Sequence, residues 1–219
     1  RAWMIWGLGA LFYLYEFAVR VAPAVMQPEL RSHFQASAFS LGTALSVYYL
    51  VYSPMQLVVG LLVDRFGARP LLVLASLITA VGCALFLLPG ELVFLGFARG
   101  LQGFGSSFGF IGTLYLATLW FPASRMAVIS GLTTALGLAG AVFGQAPLAV
   151  LVEAFGMGAS MLFYSFCGLL MAFLLFTWVP IHAQAHRSPQ GVNLQRQPLI
   201  PGIKQVLRNP QTWIVGMVG

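Results

Sequence analysis

Long, uninterrupted runs of apolar residues dominate this sequence, and short polar segments separate them. Six runs are each near or above the ~20 residues that a helix needs to cross a ~30 Å hydrocarbon core. Backbone N–H and C=O groups in lipid must be satisfied within the segment, so each run is predicted to be a helix. The predicted membrane helices are residues 3–26, 38–62, 70–89, 92–118, 127–151 and 159–179.

The overall composition agrees with a helical membrane protein and excludes a soluble one. Of the 219 residues, 59% are hydrophobic and only 7% are charged, and the mean hydropathy is +0.89. A soluble domain is nearer a quarter charged, so a soluble enzyme, a coiled coil and a disordered chain are all excluded. A transmembrane β-barrel would show short alternating segments instead of long runs. The predicted fold class is therefore an all-α membrane protein in a lipid bilayer.

Positive charges are distributed unequally between the two sides of the predicted bundle. If the N-terminus is cytoplasmic, the outer side holds only Arg31, and lysines and arginines concentrate on the inner side, as topology rules require. We therefore expect a multi-pass protein of the cell's inner (plasma) membrane with a cytoplasmic N-terminus. The net charge of +6 does not indicate a nucleic-acid partner, because the cations lie in short loops. The cations on the inner side are Arg1, Arg65, Arg69, Arg125, Arg187, Arg196, Lys204 and Arg208.

The chain changes character after the sixth run, which closes a predicted membrane bundle at residues 1–179. Residues 180–210 hold five of the twelve prolines and are predicted to form a cytoplasmic linker. His182 and His186 are four residues apart, but no Cys, Asp or Glu lies nearby, so no metal site is predicted. Residues 211–219 turn apolar again and are predicted to begin a seventh span, which indicates that the sequence is part of a longer protein.

A short sequence repeat relates the two halves of the predicted bundle. Leu-Val-Asp-Arg-Phe-Gly at 62–67 matches Leu-Val-Glu-Ala-Phe-Gly at 151–156, an offset of 89 residues that spans three helices. Three is odd, so the second unit crosses the membrane in the opposite direction to the first. This pattern predicts a six-transmembrane-helix bundle of two inverted three-helix repeats, an arrangement typical of secondary transporters.

Two motifs resemble signatures of the major facilitator superfamily (MFS). Residues 60–69 read Gly-Leu-Leu-Val-Asp-Arg-Phe-Gly-Ala-Arg, similar to that family's signature G-x-x-x-D-R-x-G-x-R between helices 2 and 3. Residues 99–105 read Arg-Gly-Leu-Gln-Gly-Phe-Gly and resemble its helix 4 signature, R-x-x-Q-G-x-G. The resemblance covers essentially the whole chain and implies the N-terminal half of a twelve-helix MFS transporter. Such a protein alternates access to a central substrate site, with the C-terminal six-helix half as this half's partner.

The resemblance also implies a role for the segment between helices 2 and 3. In the family this cluster acts as a conformational gate, a latch that holds the inward side closed. The alternative is a static ion pair that only helps to fix topology, since Asp64 could pair with an arginine or face a helix N-terminus. The gate residues implied are Gly60, Asp64, Arg65, Gly67 and Arg69.

Glu16, Arg20 and Arg99 are the only charged residues within the predicted spans. A charge in the membrane is expensive and should face a cavity or a partner. At 1.5 Å of rise per residue, Glu16 and Arg99 lie about 14 Å and about 10 Å from the outer ends of their spans. We hypothesise that Glu16 is shared between the two arginines, and that its protonation frees an arginine for an anionic substrate. The alternative is a permanent buried pair that fixes helix packing.

Polar side chains near these charges are candidates for contacts with a substrate. Binding sites of this kind are mostly apolar, with a few placed polar groups. Any one of the tyrosines could equally serve in packing. The substrate-cavity candidates are Tyr13, Tyr48, Tyr49, Tyr52, Gln56, Gln102, Ser106 and Gln145.

The expected function is secondary active transport of a small polar or anionic metabolite, as proton-coupled symport. A drug/proton antiporter is the alternative, but Ala141 replaces the proline of the family's antiporter motif in helix 5. A non-transporting receptor or scaffold with the same fold would need no charges in the membrane. No cofactor and no enzymatic activity are predicted. Residues 105–109 match the serine-hydrolase pattern G-x-S-x-G only formally, because no histidine lies within a span to act as a base.

Overall fold

The computed structural model describes residues 1–87 and 91–180, and these residues are overwhelmingly helical. The predicted linker at 180–210, apart from Pro180, and the predicted start of a seventh span at 211–219 lie outside the described residues. His182 and His186 lie outside them as well. The helices are α1 (Ala2–Val25), α2 (Gln27–Phe34), α3 (Ala38–Phe66), α4 (Ala68–Ala84), α5 (Leu92–Trp120) and α6 (Met126–Trp178), with 3-10 turns at Leu85–Leu87 and Ala123–Arg125.

The long helices confirm the predicted all-α fold. The bounds of α1, α3 and α5 match the predicted spans to within a few residues, and α4 with its 3-10 turn covers most of the third span. One difference is that α3 continues to Phe66, so Asp64 and Arg65 form its last turn and not a loop. Two exposed charged residues do not interrupt a helix that is rich in leucine and valine. The helix therefore continues until Gly67 changes the direction of the backbone.

The short helix α2 lies where the sequence pattern predicts a loop. Pro28 lies in its first turn, where the missing N–H costs no hydrogen bond within the helix. The negative charge of Glu29, in the same turn, interacts favourably with the positive end of the helix dipole. The helix ends at Gln35, whose φ of 47° is left-handed. Leu30 is its buried residue. An eight-residue helix with one buried side chain leaves no hydropathy signal, which is why it escapes detection in the sequence.

Helix α6 consists of two arms that meet at Gly156, residues 126–155 and 157–178. Gly156 has φ 79° and ψ 167°, the one non-helical backbone conformation within α6. Gly67, between α3 and α4, has nearly the same conformation, with φ 86° and ψ 157°. This region of backbone space is essentially open only to glycine. The two spans predicted at 127–151 and 159–179 imply a loop between them, and that loop is wrong, since the arms of α6 join at a single residue.

The helix starts follow the sequence repeat. Helices α1, α3 and α4 begin at residues 2, 38 and 68, whereas α5 and the two arms of α6 begin at residues 92, 126 and 157. The offsets are 90, 88 and 89 residues. The two glycines that end the repeated hexapeptides also occupy the same backbone conformation. The structure thus supports two three-helix units built on one plan.

Two serines at equivalent places in the repeats bind α4 to the second arm of α6. Ser76 Oγ on α4 donates to the carbonyl oxygen of Gly168 at 2.7 Å. Ser165 Oγ, 89 residues later, donates to the carbonyl oxygen of Ala80 on α4 at 2.8 Å. Each helix therefore supplies one donor and one acceptor, as a two-fold relation between the units requires.

Within the described residues, three helical segments are long and apolar enough to cross a membrane: Ala2–Val25, Ala38–Phe66 and Ala123–Trp178. The last has 56 residues and bends at Gly156, so it is long enough to cross twice. Helix α4 has 17 residues. Helix α5 packs against α1, α3 and α4 in the centre of the bundle, and its glycines and polar residues lower its mean hydropathy. Many large apolar side chains are exposed on the outside of the bundle, among them Phe97, Phe143 and Phe166, as contact with lipid requires.

Candidate functional site

Helices α1, α3, α4 and α5 enclose one polar cluster in the core of the bundle. Glu16 and Arg20 come from α1 and Arg99 from α5, as the sequence places them. Glu16 and Arg99 are almost completely buried, with 1% and 3% of their surface exposed. Arg20 is half-buried. We call these three residues the charge cluster.

The carboxylate of Glu16 is held by two hydroxyl groups. Thr79 Oγ1, on α4, donates to Glu16 Oε1 at 2.9 Å. Ser106 Oγ, on α5, donates to Glu16 Oε2. The predicted sharing of Glu16 between Arg20 and Arg99 is therefore wrong, because each carboxylate oxygen has a hydroxyl partner and the arginines bind elsewhere.

Close packing of α4 against α5 explains why a hydroxyl of α4 reaches this carboxylate. A side chain at Gly105 would collide with Thr79 Oγ1, so only glycine lets the two helices approach here. A Cβ at Gly109, one turn further along α5, would lie 3.7 Å from Glu16 Cγ. Small residues at such crossings let membrane helices come into contact. Glycines on α5 thus shape the space in which Glu16 and its partners lie.

Arg99 is held by neutral groups. Its Nη1 donates to Gln102 Oε1 at 2.7 Å and weakly to the carbonyl of Val19 at 3.5 Å, and Nη2 donates to the carbonyl of Arg20 at 3.4 Å. Gln102 is fixed in turn by donating Nε2 to Cys83 Sγ at 3.4 Å. The Nε of Arg99 has no partner among the described residues although it is buried. All the hydrogen-bond partners of Arg99 among the described residues are therefore neutral.

Arg20 lies among aromatic rings. Its Nε donates to Tyr48 Oη at 2.9 Å, and its Cζ is 4.4 Å from the ring centre of Phe17 and 4.7 Å from that of Tyr52. The Tyr48 ring lies 5.6 Å from the Cζ of Arg20 and 4.5 Å from the Cζ of Arg99. A guanidinium over an aromatic face is stabilised by the ring's negative face. Tyr48 thus contacts both cations and lets two like charges lie in one cluster.

The other predicted cavity residues divide into two groups. The structure brings Tyr48, Tyr52, Gln102 and Ser106 to the charge cluster. Tyr13 packs its ring against Phe17 and Phe110 and fills the space beside Gly137. Three candidates are less enclosed: Tyr49 and Gln145 are exposed and Gln56 is half-buried.

Thr79 and Cys83 are the site residues that sequence reasoning missed. Both lie in the apolar run of α4, in which the sequence pattern predicts no site residue. A threonine hydroxyl within a membrane helix is itself a signal, because it needs a partner in lipid. The sequence does not reveal that this partner is Glu16, because that contact depends on how α4 packs against α1 and α5.

The predicted gate residues lie at the junction of α3 and α4. Asp64 and Arg65 are exposed, and Arg65 Cζ lies 5.5 Å from the ring centre of Phe66. Arg69 Nη2 donates to the carbonyl of Phe176, and its Cζ lies 4.9 Å from that residue's ring centre. Arg69 thus joins the start of α4 to the end of α6. Gly60 has open space around its Cα, and Gly67 makes the turn between the helices.

Comparison with known sequences identifies the family. The sequence model of the Major Facilitator Superfamily matches residues 6–219. The chain belongs to the major facilitator superfamily. The predicted resemblance is confirmed, and the bundle is the N-terminal half of an MFS fold.

Three MFS relatives show how far the similarity extends. The "Probable sulfoacetate transporter SauU" of Cupriavidus necator is 28% identical over 153 residues, 70% of this chain and 36% of that protein. The "Uncharacterized transporter YybO" of Bacillus subtilis is 31% identical over 184 residues, 80% of this chain and 40% of that protein. The "Multidrug resistance protein MdtM" of Escherichia coli K12 is 29% identical over 170 residues, 73% of this chain and 41% of that protein. The chain thus spans about two fifths of the length of the curated relatives it matches.

Proposed function

We propose that this chain is half of a secondary active transporter that moves a small organic anion by alternating access, with a proton as the coupling ion. Arg20 and Arg99 bind the anion, and Glu16 carries the proton. The protein lies in the inner membrane with its N-terminus in the cytoplasm, and the C-terminal half of the same protein completes the cavity.

One observation carries this proposal: two guanidinium groups are held by neutral partners beside a carboxylate that has partners of its own. Arg99 is bound by an amide and by carbonyl oxygens, and Arg20 by a tyrosine and aromatic faces. When Glu16 is ionised, the three residues give the cluster one excess positive charge. A charge at this depth in a membrane protein should face a partner. An anionic substrate supplies that partner.

Glu16 lies in the same cluster as the arginines but has hydrogen-bond partners of its own. This arrangement supports a mechanism that couples the binding of a proton to the binding of the anion. A bound anion disfavours a second negative charge nearby, so it favours protonation of Glu16. Linkage is reciprocal, so protonation of Glu16 strengthens anion binding by the same factor. No arginine has to leave a carboxylate, which was the coupling step in the ion-pair hypothesis.

Two arginines are suited to binding an oxyanion, and the similarity to SauU suggests sulfoacetate as the oxyanion to test. The guanidinium fork binds carboxylate and similar planar or tetrahedral oxyanions through paired N–H donors. Sulfoacetate carries a sulfonate and a carboxylate, one for each guanidinium. We therefore propose short sulfonates and carboxylates as the substrate class.

Uptake by cells that express the full reading frame tests the proposal. Labelled sulfoacetate, pooled organic acids and pooled amino acids are each supplied with and without a protonophore. We expect accumulation of an organic anion that the protonophore abolishes. Glu16→Gln and Arg99→Lys should remove accumulation, whereas the exposed matched controls Glu91→Gln and Arg125→Lys should keep it. Accumulation that survives Glu16→Gln, or that is indifferent to the protonophore, would contradict proton coupling at Glu16.

Efflux of apolar drugs is the second candidate. It is favoured by the similarity to MdtM and by an apolar groove of about 700 Å³ between α3 and α5, lined by residues such as Val47, Val51 and Phe97. The two cations of the charge cluster oppose it, because they repel cationic drugs. Cells expressing the protein should accumulate as much of a fluorescent lipophilic cation as control cells, and lower accumulation would favour efflux.

We also propose that Gly60, Asp64, Arg65, Gly67 and Arg69 act as the conformational gate. The contact of Arg69 with Phe176 supports this role, because it couples the α3–α4 junction to the far end of α6. In the complete protein, Asp64→Asn should lower the maximal rate of uptake severalfold and leave KM for the substrate unchanged. Arg31→Gln, at an exposed charge on α2, is the control. An effect of Asp64→Asn on KM alone would oppose a gating role.

A further inference from the structure

We infer that Thr79 and Ser106 are positioning residues that let Glu16 gain and lose its proton without changing place. This inference rests on the proposed proton coupling and names the groups that make it possible. Thr79 comes from α4 and Ser106 from α5, so the two hydroxyls hold the carboxylate from two different helices. All three side chains are buried, with at most 2% of their surface exposed.

The choice of hydroxyl groups matters because a hydroxyl can both donate and accept a hydrogen bond. When Glu16 is ionised, both of its oxygens accept, and both hydroxyls donate. When a proton binds one carboxylate oxygen, that oxygen becomes a donor, and the facing hydroxyl must accept. An arginine or an amide N–H has no acceptor to offer, so a carboxylate paired with either would have to break the contact before it took up a proton.

A hydroxyl that turns to accept from Glu16 needs a new acceptor for its own proton. Serine and threonine in helices can donate to the carbonyl four residues earlier. For Thr79 that carbonyl belongs to Ala75, and for Ser106 it belongs to Gln102. Thr113 and Thr133 already make this bond, at 2.6 Å to Gly109 and at 2.8 Å to Ile129. Neither hydroxyl makes this bond while it donates to Glu16, so the exchange of partners requires a turn of the side chain that carries the hydroxyl.

The other described groups around Glu16 do not hydrogen-bond its carboxylate as the two hydroxyls do. Titratable side chains of the described residues lie near it: Tyr15 and Arg20 on its own helix, Tyr48 on α3 and Cys83 on α4. On α5, Arg99 is turned to Gln102 and to backbone carbonyls. Helix α6 approaches this part of α1 through glycines that pack on Tyr13 and Leu14. Thr79 and Ser106 are the described groups that hydrogen-bond the carboxylate itself.

The first test separates proton-driven uptake from substrate exchange in liposomes that contain the complete protein. Exchange of internal for external substrate moves no net proton, so it does not require Glu16 to change state. Thr79→Val should lower proton-driven uptake about tenfold, since a hydrogen bond to a charged group is worth about that factor or more. Exchange should fall far less than proton-driven uptake, and Thr79→Ser should restore uptake. Thr113→Val, at a buried threonine whose hydroxyl bonds within α5, is the matched control.

A second test measures the carboxyl group directly and does not depend on transport. Infrared difference spectra between acidic and alkaline pH should show the C=O band of protonated Glu16, identified by its loss in Glu16→Gln. With the proton on Oε2, which faces Ser106, the remaining C=O is Oε1 and accepts from Thr79. Thr79→Val should therefore move that band to higher wavenumber, and Thr113→Val should leave it in place.

The two tests distinguish failure of this inference from failure of the proposed function. If wild-type uptake ignores the proton gradient but the band still moves in Thr79→Val, proton coupling is refuted and the positioning role stands. If Thr79→Val lowers uptake and exchange equally, or if the band does not move, the positioning role is refuted. Absence of any Glu16 band across the pH range would refute both.

Discussion

Replacing Gly156 by alanine tests whether the backbone conformation at the bend in α6 requires glycine, because the substitution introduces no steric clash. A Cβ built at Gly156 has no neighbouring atom within 4 Å. The backbone there has φ 79° and ψ 167°, a region essentially restricted to glycine. The substitution therefore adds a methyl group that touches nothing and that the backbone conformation disfavours.

The expected destabilisation follows from this conformation. A non-glycine residue held in such a region costs on the order of 1–3 kcal/mol. Gly131 lies on the same helix, is exposed and also has open space around it, but its φ is helical. Alanine at Gly131 should stabilise the helix by about 1 kcal/mol, because glycine is a poor helix former. The two variants should thus differ by roughly 2–4 kcal/mol.

Apparent melting temperatures of the complete protein in detergent, at one scan rate, measure this difference. At roughly 2–4 °C per kcal/mol for a domain of this size, Gly156→Ala should melt at least several degrees below Gly131→Ala. Gly67→Ala should fall in the same direction as Gly156→Ala, because its φ of 86° imposes the same restriction. Equal melting temperatures for the variants at 156 and 131 would refute the argument that the bend requires glycine.

Two further predictions concern contacts between helices. Gly140→Ala should lower the yield of monodisperse protein after detergent extraction more than Gly156→Ala does, since its methyl group meets the backbone carbonyl of Leu14 and pushes α6 away from α1. Ser76→Ala and Ser165→Ala should each lower stability by about 0.6 kcal/mol, a typical value for a hydrogen bond between membrane helices. Their effects on the melting temperature should add, because each serine has its own acceptor, and a double variant no worse than either single one would contradict that.

Most of the fold could be predicted because lipid imposes simple rules on a sequence. Length and hydropathy locate every long helix, and the repeated hexapeptide predicts the relation between the two three-helix units. The errors occur where hydropathy carries no information. Helix α2 is polar and short, and Gly156 reads as part of a loop although it interrupts a helix by one residue only.

The site was only half predictable for a related reason. Charges in an apolar run are visible in a sequence because they are expensive, so Glu16, Arg20 and Arg99 could be named in advance. Their partners depend on which helices touch. Thr79 reaches Glu16 only because Gly105 lets α4 and α5 approach, and no periodicity within one helix reports such a contact.

The charges of the cluster argue for binding rather than for packing. A bundle that needed only stability would do as well with apolar residues, since replacing buried ion pairs by apolar groups is often neutral or stabilising. Here Arg99 keeps a buried Nε without a partner among the described residues, and Glu16 is occupied by hydroxyls. The cluster carries one excess positive charge when empty. One dianion together with one proton on Glu16 brings it to zero, which is the least costly charge for a site within a membrane. A loaded state of this composition predicts one proton per dianion at this half of the cavity, and a measured ratio that requires more protons would place the additional carriers elsewhere in the protein.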